Sequence, residues 1–316
     1  MSMKIAILNE CFFEDSHIKR LEKLGEVVVH PNTVTEEDVI KRLGDVDIGI
    51  IDMFVADITE SALSKCEKLK LLALNTTGFD ALNHAHARSL NIDVTNVPNF
   101  STDAVAEQSI AMMIAVNRKI VIGDSEFRDS IFEIDPGNKK HRRYLGSNFK
   151  ARTLGVVGCG NVGSQVLRLA MGLGMKVLAY NRTKKTIPGV KFVSLKELLQ
   201  QSDIISINVA LDSETENLIG EEEFKLMKPE TILINTARGG IVNTEALYKA
   251  LKNHTIAGAG VDTVTITKNH LLLKLDNIIF SPHSAWYTKE SLQNIAEIIT
   301  STVESYVNGK KINVIN

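Results

Sequence analysis

Cysteine, net charge and long apolar runs are all scarce in this chain, and each scarcity excludes a class of protein. Among its 316 residues there are 3 cysteines. Cys11, Cys66 and Cys159 have no metal-ligand spacing and cannot all pair, which points to a reducing compartment and to no metal site. The formal net charge is −2 and the sequence pI about 6.5, so no general field draws the protein to nucleic acid or to an anionic membrane. No stretch is long and apolar enough to span a bilayer. The opening MSMKIAILNECFFED sets a short apolar strand beside acidic residues, without the apolar region of a signal peptide. A cytoplasmic location is the expectation. Internal repeats and low-complexity tracts are also missing.

What is there is a hydrophobic share of 44% in a chain longer than one core usually supports. Strand-like and helix-like segments alternate nearly end to end, so the fold class expected is α/β, with two doubly wound domains built on parallel sheets. In residues 1–100, KIAILNE, EVVVH, DIGIID, LKLLALN and IDVTN read as strands, with helical patterns near 14–24 and 35–43. This unit is completed by residues 287–316, where a helix runs from about 288 to 307. After Pro98, STDAVAEQSIAMMIAVNRKIV reads as a long apolar helix capped by Ser101 or Thr102, which opens a second domain over 101–286. Residues 123–150 break the pattern. With Pro136, Gly137 and a cationic run from Lys139 to Arg143, they read as a solvated connector.

The most informative block is TLGVVGCGNVGSQVLRLAMGLGMKVLAYNR, residues 153–182. A buried strand is followed by Gly158, Gly160 and Gly163 in G-x-G-x-x-G spacing, then by a helix and a second strand, Lys176 to Tyr180. Gly158 permits a tight turn, Gly160 lets a pyrophosphate approach the backbone, and Gly163 lets the helix pack close to the strand. The unit is a Rossmann dinucleotide site. Cys159, inside the turn, reads as a small residue in a tight space rather than as a redox sensor.

Several blocks, in order, carry a resemblance: NTTGFDALN, VTNVPNFSTDAVAEQ, GVVGCGNVG, NTARGGIVN, GAGVD, SPHSAW and GKKINVIN. The chain resembles the D-isomer-specific 2-hydroxyacid dehydrogenases over nearly its whole length, and SPHSAWYTKES is similar to the glycerate dehydrogenase and hydroxypyruvate or glyoxylate reductase branch. The resemblance implies an oxidoreductase that moves a hydride between a nicotinamide cofactor and a small 2-keto or 2-hydroxy acid, commonly as a homodimer through the long-helix segment and adjacent arm. It implies that Arg238, in NTARGG, anchors the substrate and that His283, in SPHSAW, is the general acid and base. Both types suit the chemistry: a planar fork matches a carboxylate, and imidazole exchanges protons near neutrality.

Other positions follow from the same likeness. Thr77 and Gly78 match a loop whose amides bind a substrate carboxylate, and Thr102 lies near the nicotinamide-side phosphate. Asn161 and Val162 would meet the pyrophosphate, Val209, Ala210 and Thr215 would line the adenosine side, and Thr236 and Ala237 would approach through backbone atoms. Asp262 matches the aspartate beside the nicotinamide carboxamide, and Ala210 replaces a proline common in the family. At the end of the second strand, Asn181 stands where an aspartate would accept the ribose hydroxyls of NAD. Arg182, Thr183 and Lys184 instead offer cationic and hydroxyl donors to a 2′-phosphate, so NADP is preferred, with NAD the alternative.

One departure stands out. Where the family carries a catalytic glutamate after the aspartate, this chain reads GVDTVTITKNHLLL, shorter and without one. That carboxylate orients the histidine and favours its protonated form. Thr265 or Thr267 could hydrogen-bond the imidazole without supplying charge, or extend a strand, and Glu107 is the distant carboxylate that could stand in. Three functions remain in view: an active 2-keto acid reductase, a catalytically weak NAD(P)-binding sensor or interaction protein, and a dehydrogenase of another substrate class.

Overall fold

The computed structural model describes residues 2–9, 12–52, 55–79, 82–129, 139–183 and 185–316. These fall into two units, Met1–Ser101 with Tyr287–Asn316, and Thr102–Trp286.

Short runs of aliphatic residues make the sheet of the first unit: β1 (Met3–Leu8), β2 (Gly25–His30), β3 (Ile48–Ile51), β4 (Leu71–Leu74) and β5 (Asp93–Thr95). All neighbours pair parallel in the order β2-β1-β3-β4-β5. Every residue of β3 and β4 is buried, as expected of central strands covered on both faces, whereas no residue of the edge strand β2 is buried. The helices begin where hydroxyl caps dictate. Thr35 accepts from the Asp38 amide at 3.2 Å, Thr59 from Ala62 at 3.0 Å and Thr288 from Ser291 at 3.2 Å. The last of these opens the helix Lys289–Val307, which the Arg20 guanidinium ties to the helix Asp15–Glu22 through Glu304 and Glu297, both at 2.7 Å.

The second unit has seven parallel strands: β6 (Thr153–Val157), β7 (Lys176–Tyr180), β8 (Lys191–Phe192), β9 (Ile204–Ile207), β10 (Ile232–Asn235), β11 (Gly258–Val261) and β12 (Ile278–Phe280). Their order is β12-β11-β10-β9-β6-β7-β8. Chain direction across the sheet reverses at β6, which lies between β7 and β9, and a crevice at the carboxyl end of such a strand is where α/β sheets bind nucleotides. The two parallel sheets give the α/β class expected from the sequence. Among the described residues no helix is long and apolar enough to cross a membrane.

Two readings change. The segment 123–150 is not all connector, because the helix Ile120–Asp129 runs into it and a 3-10 turn spans Lys139–Tyr144. That helix has no buried residue among those described and leaves Ile120, Val121 and Phe127 exposed, so no buried stripe announces it. Arg143 of the cationic run is engaged internally, with Glu126 at 2.7 Å and Asp276 at 3.3 Å. Pro136 and Gly137 lie outside the described residues.

Candidate active site

The three glycines of the turn meet different surroundings. Gly158 has φ +92°, and a Cβ there would lie 2.6 Å from Val209 Cγ1. At Gly163 a Cβ would stand 2.0 Å from the Gly158 carbonyl oxygen, so the helix Asn161–Gly172 approaches the turn as only glycine allows. Gly160 differs: nothing lies within 4 Å of an added Cβ. The open space faces the first turn of a helix, whose leading amides have no intrahelical acceptor. A cavity of about 480 Å³ adjoins it, lined by Gly158 and Gly160 from the turn. Asn208, also on its wall, keeps a buried Oδ1 with no hydrogen-bond partner among the described residues. An open cradle, a helix N-terminus and an orphan acceptor fit a dinucleotide. When bound, NAD(P) supplies the hydride donor or acceptor.

At the adenosine end, Asn181, Arg182 and Thr183 line the cavity on one side, and Val209, Ala210 and Thr215 on the other. Asn181 is committed to the fold: its Oδ1 accepts from the Cys159 amide at 2.9 Å and its Nδ2 donates to the Thr183 carbonyl at 2.7 Å. Arg182 is paired with Glu214 and lies 3.5 Å from Asp212, two carboxylates that sequence reasoning missed because they sit 30 residues or more downstream. Lys185, also missed, donates to the Cys159 carbonyl at 2.8 Å. Lys184 lies outside the described residues. Where the family has proline, the turn after Ala210 is braced by Thr215, whose hydroxyl donates to the Ala210 carbonyl at 2.7 Å and accepts from the Asp212 amide at 2.7 Å. Burial pushes the Cys159 thiol up to about 11.

Three adjacent strands deliver the remaining groups. Asn235, Val261 and Phe280 are register partners across β10, β11 and β12, so Arg238, Asp262 and His283 all emerge at one edge of the sheet. Asn235 shapes the turn after β10, accepting from the Ala237 amide at 3.1 Å and donating to the Arg238 carbonyl at 2.9 Å. The Thr236 hydroxyl shares a 2.8 Å bond with Ser109 of the helix Thr102–Asn117. Arg238 donates to the Ala237 carbonyl at 3.0 Å. Gly239 then packs on the next loop, where a Cβ would lie 3.0 Å from Val264 Cα.

Asp262 is 3% exposed, and its carboxylate accepts from the Ser281 hydroxyl, the Ser284 amide at 3.0 Å and the Ala285 amide at 3.2 Å. It thereby anchors the turn that carries His283, whose backbone is left-handed at φ 55°. The loop 263–267 has no regular structure. Val264 and Ile266 pack on the core, Thr265 and Thr267 are exposed, and the Thr263 hydroxyl is buried without a partner among the described residues. Strand β11 therefore does not extend through the threonines. Glu107 is exposed on its helix. Thr102 is the first residue of that helix.

Thr77 and Gly78 belong to the first unit, just after β4. The Thr77 hydroxyl donates to the Val97 carbonyl at 2.5 Å and its carbonyl accepts from Asn96 at 2.8 Å, which fixes the loop. Among the described residues no group of three or more His, Cys, Asp or Glu side chains could hold a metal ion.

Fold, glycine turn and strand-end residues together define a dinucleotide-dependent oxidoreductase. The NAD binding domain profile of the D-isomer specific 2-hydroxyacid dehydrogenases matches residues 110–285, and the chain belongs to that family, whose members act on CH–OH donors with NAD(P). It is 35% identical to a glyoxylate reductase of Thermococcus litoralis over 304 residues, 94% of this chain and 92% of that one. It is also 35% identical to a glycerate dehydrogenase of Methylorubrum extorquens over 309 residues, 95% of each chain. Among solved structures, an acyclic imino acid reductase in complex with NADPH and D-Arg superposes with a TM-score of 0.90 at 34% identity, covering 99% of this chain and 100% of that one.

Proposed function

We propose that the protein reduces a small 2-keto acid of the glyoxylate or hydroxypyruvate kind, with NADPH preferred and NADH as the alternative. The observation that carries this reading is the common strand edge of Arg238, Asp262 and His283. Arg238 presents a planar fork to the carboxylate and carbonyl of the substrate, and His283 gives its proton to the oxygen that becomes the hydroxyl. Asp262 holds the His283 turn and is our candidate beside the nicotinamide carboxamide. The first unit is proposed as the substrate-binding domain, with Thr77 and Gly78 as carboxylate-binding amides. Thr102, Asn161, Val162, Thr236 and Ala237 are proposed on the cofactor side. A panel of 2-keto acids with NADPH and NADH, followed at the nicotinamide absorbance, tests the reading. Cofactor binding without turnover of any of them favours the sensor instead.

A second reading has its own support. The loop after Asp262 lacks a glutamate, and an imino acid reductase is 34% identical over nearly the whole chain. A protonated imine already carries its proton on nitrogen when hydride reaches carbon, so it does not need a histidine held charged by a neighbour. Turnover that appears only when an amine accompanies the keto acid selects this substrate class.

We further propose a homodimer, supported by the exposed Ile120, Val121, Phe127 and Leu145 on and after one helix. Sedimentation velocity tests it.

A further inference from the structure

We propose that Glu214 acts as an internal stand-in for the 2′-phosphate of the cofactor, holding the Arg182 guanidinium until a dinucleotide phosphate displaces it, and so setting how strongly the site prefers NADP over NAD. The inference deepens the NADPH reading above.

The topology gives the pair its position. Arg182 follows β7, Glu214 follows β9, and these strands flank β6 on opposite sides. Their ion pair therefore spans the carboxyl end of β6, where the glycine turn begins, and both side chains line the same cavity. Each is about two-thirds exposed, 68% for Arg182 and 67% for Glu214, so the pair is water-accessible, screened and exchangeable. A phosphate dianion offers the same fork a higher charge and more acceptor oxygens.

The neighbouring carboxylate does different work. Asp212 lies 3.5 Å from Arg182 but accepts from the amides of Glu214 at 2.9 Å and Thr215 at 3.0 Å, so it shapes its own turn. The Glu214 carboxylate has Arg182 as its partner. Of the charged side chains among the described residues that line the cavity, Arg182 contributes +1 and Asp212 and Glu214 each −1, a sum of −1 that opposes a 2′-phosphate. Neutralising Glu214 brings that sum to zero and releases the arginine. Lys185 adds an ammonium at the glycine turn, with one of its three N–H donors given to the Cys159 carbonyl.

The test is Glu214→Gln, titrated by calorimetry with adenosine 2′,5′-bisphosphate and with AMP, and by fluorescence with NADPH and NADH. The variant is expected to bind the bisphosphate and NADPH about fivefold tighter, the scale of one exposed ion pair, with AMP and NADH unchanged. Adding Arg182→Ala should abolish the gain. The proposal is overturned if Glu214→Gln binds the bisphosphate no tighter, if AMP gains equally, or if the gain survives without Arg182. The two readings separate cleanly: a parent protein that binds NADH as tightly as NADPH, yet shifts toward NADPH on Glu214→Gln, sinks the cofactor preference and keeps the latch.

Discussion

The Asp262 carbonyl accepts the His283 amide at 2.9 Å while the Asp262 carboxylate holds the two residues that follow it, Ser284 and Ala285. The aspartate thus fixes a left-handed histidine backbone through main-chain groups. Asp262→Asn keeps the size but removes an acceptor and sets an amide against amide donors. Turnover should fall about 100-fold, the cost of misplacing a reacting group by about an ångström, with KM changed far less. Equal kcat in the variant and the parent would show that the turn holds itself.

Arg238→Lys replaces a fork with a point charge. The loss of one charge-assisted bond, about 2–3 kcal/mol, should appear as a fall in kcat/KM of roughly 30- to 150-fold with NADPH affinity unchanged. Steady-state kinetics on glyoxylate and hydroxypyruvate, paired with a cofactor titration, checks both halves. His283→Asn should remove nearly all turnover, since an amide is not a proton donor of useful acidity.

Two glycines three residues apart in the motif, Gly160 and Gly163, should fail differently. Gly160→Ala puts its Cβ into open space, so the protein should unfold at nearly the parental temperature while cofactor affinity falls at least about tenfold. Gly163→Ala drives a Cβ to 2.0 Å from the Gly158 carbonyl oxygen, and should lower stability by about 1–3 kcal/mol because backbone must move. Calorimetric melting alongside NADPH titration separates them, and matching losses in both variants would refute the distinction.

In the first unit the Asp93 side chain is 3% exposed and accepts from Arg88 at 2.6 Å, Lys311 at 2.7 Å and Tyr306 at 3.0 Å. Burial raises its carboxyl, but those three donors outweigh it and hold it below the ordinary aspartate value of 3.8. With the folded value below the unfolded one, the stability it contributes is complete above pH 3.8 and is lost as the pH falls through the depressed value. Asp93→Asn should cost about 2–3 kcal/mol at pH 7 in urea unfolding, and less as the pH is lowered. A penalty that stays constant on acidification would show that shape, not charge, is at stake.

The strands and the glycine turn were readable because their signals are local: aliphatic runs bounded by polar residues, and three glycines at fixed offsets. The helix Ile120–Asp129 was not, since it buries no side chain among those described and so leaves no periodic stripe. Arg182 and Glu214 meet only because β9 returns beside β6, a pairing that follows from strand order and from no spacing in the chain. Asp262 was recognised by its place in a motif, yet its grip on the Ser281–Ala285 turn depends on two strands lying side by side. Asn181 likewise reads as an absent carboxylate in one dimension and as a brace between two loops in three.

Cys159 sits within the glycine turn that borders the cavity, with its side chain packed into the core beneath. It is fully buried, and with its thiol pushed up to about 11, on the order of one molecule in ten thousand carries the reactive thiolate at pH 7. Alkylation by iodoacetamide must then wait for the turn to open. Its rate becomes a clock for local opening at the glycine motif, and slowing of that clock by NADPH in proportion to one plus the ratio of NADPH concentration to Kd shows that the nucleotide binds only the closed turn.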